Sequence, residues 1–439
     1  MKNENITGFI GLTHLGAVSC VSWASKFGKI IGVDLNEELV NLLASNKSPF
    51  KEPGLQELID KNIEKMTFSK DFSILSECDS IFVTHDIVTD EENRSNYDDF
   101  YALIDKAIPH LPQNVIIILM SQISVGMTRK IKENIKNKRK DLNFNLVYFV
   151  DTLIIGRALD RFLKPERIII GTEDGTDDIL HKYPVLKERL NSFDAPVLYM
   201  RYESAEMTKI CINLYLFNSV IYANIVADLC ESYQADMNEI IKALRLDKRI
   251  GEYSYIQPSL GVTGGHLERD MRTIEKMQKE VGIKTDWIKK LIDINERRYR
   301  WVEKKLKDHL FPKVKNPKIC IWGLAYKKDT ESLKNSVAPK IINDLPDNIS
   351  YSAYDPLVKS FEESKKVELH YDRYDAVKGA NCLIILTDPD EFKELDINKI
   401  KKSMNNPLIL DCVNIYSDYK NEMNDVNYIA IGRTKNINK

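Results

Sequence analysis

The chain has 439 residues, with 63 Lys and Arg against 65 Asp and Glu and a formal net charge of −2. This length exceeds what one hydrophobic core usually supports, so we expect about two or three domains. The balanced charge offers no basic surface for nucleic acid and no lysine cluster for a membrane surface, which excludes both classes of partner at this stage.

The N-terminal residues and the cysteines predict a cytoplasmic protein. Residues 1–5 run directly into a strand pattern, without a signal peptide. The longest apolar runs, such as 115–120, are too short to cross a bilayer. Seven cysteines are scattered without a Cys-x-x-Cys pair, which favours reduced thiols over disulfides and predicts no metal site.

A short apolar strand over residues 6–12 leads through a glycine turn into a helix over 17–27, and a second strand over 29–33 ends in an acid. Glycines permit a tight turn, the helix N-terminus receives a pyrophosphate, and the acid binds ribose hydroxyls. The pattern therefore predicts a dinucleotide site formed by Gly11, Thr13, His14, Leu15, Gly16 and Asp34.

Two of these residues determine which cofactor is expected. Thr13 stands where the middle glycine of such a turn lies, and its side chain predicts a weakened or shifted site. Asp34 repels a 2′-phosphate, which favours NAD over NADP. The alternative for Asp34, a residue that merely ends a strand, stays open.

Strand patterns recur at 80–84, 115–120 and 146–150, with helical patterns between them. Such alternation predicts a parallel sheet, and ligands of parallel sheets lie beyond the carboxyl ends of the strands. The residues just past the strand ends are therefore candidates for a site, with ordinary polar loops as the alternative. They are His85-Asp86, Ser121-Gln122 and Asp151-Thr152.

Residues 201–243 contain neither Gly nor Pro and place an apolar residue at nearly every helical turn, which predicts one long buried helix joining two halves. Glu206, Lys209 and Asn213 fall at helical spacing and form a polar stripe along it. Polar groups on a buried face need a partner or a function. For Lys209, a solvated surface position is the alternative.

Residues 258–270 form a glycine-rich loop that becomes helical towards its end. Gly261 and Gly264 let a ligand approach the backbone closely. His266 and Asp270 are four residues apart, so their side chains can meet on a helix. A histidine held by a carboxylate is a usual general base in alcohol oxidation, and a structural histidine is the alternative.

The last third of the chain repeats the α/β pattern, with strands at 318–322, up to Tyr354, at 382–386 and at 408–410. Only Gly323 follows the first of these strands, where a dinucleotide site has three glycines. We therefore expect this part to bind a nucleotide other than the redox cofactor. Lys327 and Lys334 could contact its phosphates, although loop lysines are usually solvated.

Together these stretches resemble the UDP-glucose/GDP-mannose dehydrogenase family over nearly the whole chain. The matching pieces, in order, are 11–16 with Asp34, Glu52-Pro-Gly-Leu55, 121–128, 156–171, 205–209 with Asn213, the glycine loop with Asp270, 323–330, 354–356 and 411–414. The resemblance implies an α/β fold of two Rossmann-like parallel-sheet domains joined by a long central helix. It places an NAD domain at 1–198, a helical dimer-forming domain at 199–312 and a nucleotide-sugar domain at 313–439.

In that family a loop cysteine captures the aldehyde formed at C6 of the sugar, and a second hydride transfer gives a thioester that water opens to the acid. The resemblance assigns Lys209 to oxyanion stabilisation, Asn213 to sugar positioning and Asp270 to water activation. Further positions depart from the family pattern, among them Asp151 for a glutamate, Gln122 for a threonine and Lys334 for an arginine.

The family's cysteine has no counterpart. An ungapped alignment places His266 at its position, and treating Thr263 as an insertion places Leu267 there. Without a thiolate no hemithioacetal can form. The sequence therefore predicts an NAD-dependent oxidoreductase that performs a single two-electron step on a nucleotide sugar, a UDP-hexose. His266 takes the hydroxyl proton, Asp270 orients its ring and Lys209 stabilises the oxyanion.

Two alternatives stay open. One is an epimerase that keeps its NAD, oxidises a ring carbon transiently and returns the hydride to the other face. The other is a catalytically inactive protein that binds nucleotide sugar as a sensor or scaffold. Thr13 and the missing thiol favour the second, and the matching Lys209 and Asp270 count against it. A homodimer is expected from the habit of the family.

Overall fold

The computed structural model describes residues 5–90, 95–263, 266–362, 367–405, 407–416 and 426–433, without the side chain of His266. The chain divides into two compact units, Met1–Ile212 and Asn213–Lys439. The expected boundaries of three domains, after residues 198 and 312, stay a prediction.

The first unit alternates strands and helices. Its strands are β1 (Thr7–Ile10), β2 (Ile30–Val33), β3 (Met66–Ser69), β4 (Ser80–Val83), β5 (Val88–Thr89), β6 (Ser95–Asn96), β7 (Val115–Leu119), β8 (Phe144–Phe149), β9 (Ile168–Thr172) and β10 (Val197–Arg201). Its helices are α1 (His14–Phe27), α2 (Glu37–Ala44), α3 (Leu55–Asn62), α4 (Asp98–Ala107), α5 (Met127–Lys138), α6 (Ala158–Leu163), α7 (Pro184–Asn191) and the first turns of α8 (Tyr202–Tyr233).

The main sheet of this unit has the strand order β10-β9-β8-β7-β4-β1-β2-β3, and β5 and β6 form a separate two-stranded sheet. Neighbouring strands are parallel except β8 and β9, which are antiparallel. The run from β3 to β8 has the order of a doubly wound sheet, so β1 and β4 meet at its switch point. The predicted parallel sheet is confirmed, with the β8–β9 pair as the difference.

The sheet is covered on both faces, and its central strands consist mostly of apolar residues. Every residue of β1, β2, β4 and β7 is buried. Side chains alternate across a strand, so Phe9 and Phe82 enter one core cluster and Ile10 and Val83 enter the other. The Phe9 and Phe82 rings stack with centroids 5.1 Å apart. The carboxyl ends of the strands are thereby left as the place where a ligand can bind.

The second unit contains another parallel sheet. Its strands are β11 (Lys318–Trp322), β12 (Ser350–Tyr354), β13 (Val367–Leu369), β14 (Cys382–Ile385), β15 (Leu408–Asp411) and β16 (Asn427–Ala430). Its helices are the remainder of α8, α9 (Met237–Leu246), α10 (His266–Glu280), α11 (Trp287–Arg297), α12 (Arg300–His309), α13 (Val337–Asp344), α14 (Arg373–Ala376), α15 (Asp390–Lys393) and α16 (Ile397–Ser403). The strand order β13-β12-β11-β14-β15-β16 is again doubly wound.

The long helix predicted over 201–243 is wrong in two respects. α8 ends at Tyr233, because Gln234 adopts a left-handed φ of 59°, and α9 begins only at Met237. The helix is also not buried throughout, since Tyr222 is 46% exposed and Leu229 is 52% exposed.

Candidate active site

The turn between β1 and α1 is tight enough to require glycine. Gly11 has a φ of 94°, and a Cβ on Gly16 would lie 1.9 Å from the carbonyl oxygen of Gly11. A Cβ on Gly11 would lie 2.8 Å from the Cβ of His85. The turn therefore brings bare backbone to the carboxyl edge of the sheet.

Asp34 follows β2 and ties it to this turn. Its Oδ2 accepts the N–H of Leu12 at 2.6 Å, and its Oδ1 accepts the N–H of Asn36 at 2.8 Å. The second unit has the same arrangement, in which Asp355 after β12 accepts the N–H of Leu324 at 2.7 Å. The strand-ending carboxylate thus has a structural role in both units. A ribose hydroxyl would use the lone pairs that remain on Asp34.

Thr13 and Asp86 link the turn to the end of β4. The Thr13 Oγ1 accepts the N–H of Asp86 at 2.8 Å, and the Asp86 Oδ2 accepts the N–H of Leu15 at 3.0 Å. Leu15 is the second residue of α1, so a carboxylate lies at the positive end of the helix dipole. Thr13 therefore has a bonding partner that its sequence position did not reveal.

His14 is held by a buried carboxylate. Its Nε2 lies 2.9 Å from the Oε2 of Glu52. Glu52 also accepts the N–H of Gly156 at 2.9 Å and that of Ala158 at 2.7 Å, where α6 begins. Sequence reasoning identified Glu52 only as part of a matching motif, and the structure shows that it joins two loops to the first turn of α1.

Lys209 and Asp151, two of the residues that the sequence marked as candidates for the site, lie together. The Lys209 Nζ donates to the backbone oxygen of Asp151 at 2.6 Å and lies 3.4 Å from its Oδ2. Lys209 is only 8% exposed, which excludes the solvated-surface alternative. The Asp151 Oδ1 accepts the N–H of Leu153 at 2.8 Å, which fixes the carboxylate beside the ammonium.

Asn213 and Asp270 form a second buried pair. The Asn213 Nδ2 donates to the Asp270 Oδ2 at 2.5 Å, and the Arg269 Nε lies 3.4 Å from the other carboxylate oxygen. α10 begins at His266, so His266 and Asp270 share a helical turn as expected. Whether their side chains meet lies outside the described residues, as does Gly264.

The described part of the glycine loop is held by amide side chains. The Asn295 Oδ1 accepts the N–H of Val262 at 2.6 Å, and the Asn224 Oδ1 accepts the N–H of Ser259 at 2.7 Å. Gly261 has a φ of 110°, and a Cβ there would lie 2.8 Å from the Asn295 Oδ1. Sequence reasoning missed both asparagines, although an amide on an apolar helical face is the signal that could have identified them.

The remaining candidates lie on loops at strand ends. Gln122 follows β7 and is half-buried, and Lys334 is exposed before α13. The Lys327 Nζ lies 5.6 Å from the ring centroid of Tyr326, after β11. These positions fit a role at the carboxyl ends of the sheets, and their roles stay predictions.

Glu206, the third residue of the polar stripe, caps a helix. Its carboxylate is fully buried and accepts the N–H of Gly126 at 2.6 Å and that of Thr128 at 2.7 Å, where α5 begins. Burial raises the pKa of Glu206, and its hydrogen bonds with Thr128 and Gly126 oppose that shift. The role of this residue is therefore structural.

Replacing Glu206 by Ala is expected to lower the free energy of unfolding by about 2–4 kcal/mol, because two buried N–H groups lose a charged acceptor. Chemical denaturation measures the change. Glu203→Ala is the matched control, since its half-exposed carboxylate pairs with Arg129 and should contribute at most about 1 kcal/mol. Equal losses in the two variants would contradict the capping role.

Models of one protein family match most of the chain. The NAD binding domain of the UDP-glucose/GDP-mannose dehydrogenase family matches residues 5–183, its central domain matches 203–297, and its UDP binding domain matches 320–418. The UDP binding domain confirms the expectation of a nucleotide in the last third that is not the redox cofactor.

Individual relatives agree with these matches. The chain is 28% identical over 435 residues to UDP-glucose 6-dehydrogenase TuaD of Bacillus subtilis, covering 97% of this chain and 92% of that protein. It is 25% identical to UDP-glucose 6-dehydrogenase of Rhizobium meliloti, covering 97% and 98%. The structure of a UDP-glucose dehydrogenase from Pyrobaculum islandicum superposes with a TM-score of 0.85 at 20% identity, covering 97% of both chains. At that identity the superposition shows the fold alone.

Proposed function

Because the chain belongs to the UDP-glucose/GDP-mannose dehydrogenase family, we propose that this NAD-dependent nucleotide-sugar dehydrogenase oxidises an alcohol of a UDP-hexose once and stops at the carbonyl. The observation that carries the proposal is in the sequence, which has no cysteine between Cys230 and Cys320 and therefore none in the glycine loop. Without a thiolate there, the covalent route to a second oxidation is closed.

The residues of the first turn fit NAD. Gly11 and Gly16 leave bare backbone where α1 begins, and Asp34 presents a carboxylate at the end of β2. A 2′-phosphate beside that carboxylate would be repelled, in keeping with NAD rather than NADP. NAD, when bound, supplies the hydride acceptor.

We assign Lys209 to the charge that develops on the sugar oxygen. Its ammonium is buried and anchored on Asp151, so it is fixed before the substrate arrives. An ammonium carries several N–H donors, and those not used on Asp151 can bind an oxyanion. Such preorganised donors stabilise the transition state more than the ground state.

We assign the proton transfer to His266 at the start of α10. Asp270 lies one helical turn further along and orients the imidazole, in a position fixed by the Asn213 amide. An imidazole titrates near neutral pH, which suits it to accept the hydroxyl proton. Asn213 contributes by positioning the sugar.

Product analysis tests the proposal. The full chain is incubated with NAD and a panel of UDP- and GDP-sugars, and the products are identified by mass spectrometry together with the NADH formed per sugar. One NADH and a carbonyl product are expected, whereas two NADH and an acid reject the single step. Inversion of a sugar centre without NADH release indicates an epimerase. Binding without turnover on any sugar indicates a sensor.

We further propose that the chain forms a homodimer through α8. Apolar side chains that are 45–62% exposed follow one another along this helix at intervals of seven, three and four residues, and they are Tyr215, Tyr222, Ile225 and Leu229. By length and composition alone α8 could also cross a membrane, with 44% of its most apolar window buried. The buried Glu206 and Lys209 near its start favour packing within protein instead.

Leu229→Glu is expected to convert the dimer to monomer, because a charge would lie within an apolar interface. Sedimentation velocity measures the change. Leu246→Glu is the matched control, since this leucine lies on α9 and is 85% exposed. A wild-type monomer, or a dimer that survives Leu229→Glu, contradicts the proposal.

The cytoplasmic location also stays a prediction.

A further inference from the structure

The loop after β4 lies at the switch point of the first sheet. β4 pairs with β1 in register, with Val83 opposite Ile10, so the residues that follow each strand are neighbours. His85 accordingly packs against Gly11, and the Thr84 Oγ1 donates to the Gly11 carbonyl oxygen at 2.8 Å. This is the edge where doubly wound sheets bind their ligands.

The N-terminus of α1 already has an anionic partner at this edge. α1 has no acid in its own first turn, and its N-cap Thr13 makes no side-chain cap bond. Asp86 supplies the acceptor instead, with its Oδ2 at 3.0 Å from the N–H of Leu15. Its position is fixed because its own N–H donates to the Thr13 Oγ1 at 2.8 Å. The Asp86 carboxylate therefore already binds an N–H group that the N-terminus of a helix would otherwise donate to a phosphate.

The imidazole that neighbours this turn is buried. His85 is 8% exposed, and within the described part of the chain neither its Nδ1 nor its Nε2 has a hydrogen-bond partner. Burying an unpaired polar group is unfavourable, and an unpaired group at a ligand-binding edge is explained by a ligand that supplies the hydrogen bond. An imidazole N–H is a donor that an incoming anion can use.

We propose that Asp86 competes with the pyrophosphate of NAD for the N–H of Leu15, and that His85 donates a hydrogen bond to that pyrophosphate. In the cofactor-free chain the Asp86 carboxylate holds the N–H of Leu15. Cofactor binding displaces that carboxylate, and the pyrophosphate takes the N–H of Leu15 and a hydrogen bond from the His85 ring. The inference rests on the NAD site of the proposed function and assigns two residues that set cofactor affinity.

Asp86→Asn tests the competitor directly. The amide retains an oxygen acceptor and loses the charge, so NADH is expected to bind about five- to tenfold more tightly. Inorganic pyrophosphate alone should likewise bind this variant more tightly than it binds wild type. His85→Phe fills the same space without a donor and is expected to weaken NADH binding about three- to tenfold. Binding is followed by NADH fluorescence and by calorimetry on the full chain.

Asp99→Asn is the matched control, because this acid is exposed and lies in the first turn of a different helix, α4. Its NADH affinity should equal that of wild type. An Asp86→Asn affinity that is unchanged or lower, with wild-type thermal unfolding, overturns the inference while single-step oxidation can still hold. A chain that binds no NADH in any variant overturns both this inference and the proposed function.

Discussion

Lys209→Ala is expected to lower kcat by about 10²–10³-fold while changing the KM for the nucleotide sugar by at most about threefold. The reason is that the negative charge on the sugar oxygen develops only during the reaction. The sugar oxygen becomes anionic as the hydride leaves, so a fixed ammonium stabilises the transition state more than the bound alcohol. Lys209 is suited to this because its Nζ is buried and bonded to the backbone oxygen of Asp151 at 2.6 Å.

Two further variants separate this role from folding. Asp151→Asn keeps the backbone oxygen that holds Lys209 and removes only the carboxylate, so a smaller loss of about tenfold is expected. Lys242→Ala, at an exposed position on α9, should leave kcat unchanged. Steady-state kinetics and thermal unfolding are measured on all three variants. Undiminished turnover in Lys209→Ala, at wild-type stability, would remove Lys209 from the chemistry.

The strands could be predicted from the sequence more accurately than the helix breaks. β11 matches the predicted strand 318–322. A short run of apolar residues is typical of a strand in a parallel sheet that is covered on both faces. The break after α8 is accompanied by a contact with a residue far along the chain. Asp236, whose side chain caps α9, also bonds the Arg433 Nε at 3.1 Å, nearly two hundred residues away. The apolar periodicity of residues 201–243 could not predict that partner.

The polar stripe of α8 likewise combines a feature that the sequence predicted with contacts that it could not predict. Spacing predicted that Glu206, Lys209 and Asn213 share a face, and all three are buried there. Spacing could not predict their partners, which lie in three other parts of the chain: the start of α5, the segment after β8, and α10. Glu206 caps α5, Lys209 lies on Asp151 and Asn213 bonds Asp270, so three similar positions have three different environments.

The pairing of Asp86 with α1 was equally hidden. The sequence marked His85-Asp86 as residues just past a strand end, alongside two other pairs of the same kind. What distinguishes Asp86 is the neighbour that the sheet order provides, since β4 lies beside β1. Topology, rather than the local pattern, therefore determined which strand end meets the cofactor turn.

His266→Ala is expected to lower kcat by about 10²–10⁴-fold, since it removes the group that we propose as the acceptor of the hydroxyl proton. The pH dependence of kcat should change with it, because the limb that reports the imidazole disappears. Asp270→Asn should give a smaller loss and a shifted limb, as expected for a residue that orients the ring. Turnover that is unchanged in His266→Ala removes the base assignment.

The same position can be used to test whether a thiol there would add the second oxidation. His266→Cys places a thiol where the ungapped alignment puts the family's nucleophile, and Leu267→Cys does so for the alignment with Thr263 as an insertion. If only the thiolate is lacking, one of these variants should convert the carbonyl product to the acid and raise the NADH formed from one to two per sugar. The other variant is its matched control. Acid produced by the wild-type chain would show that the second oxidation proceeds without the thiol, and the single-step proposal would then be wrong.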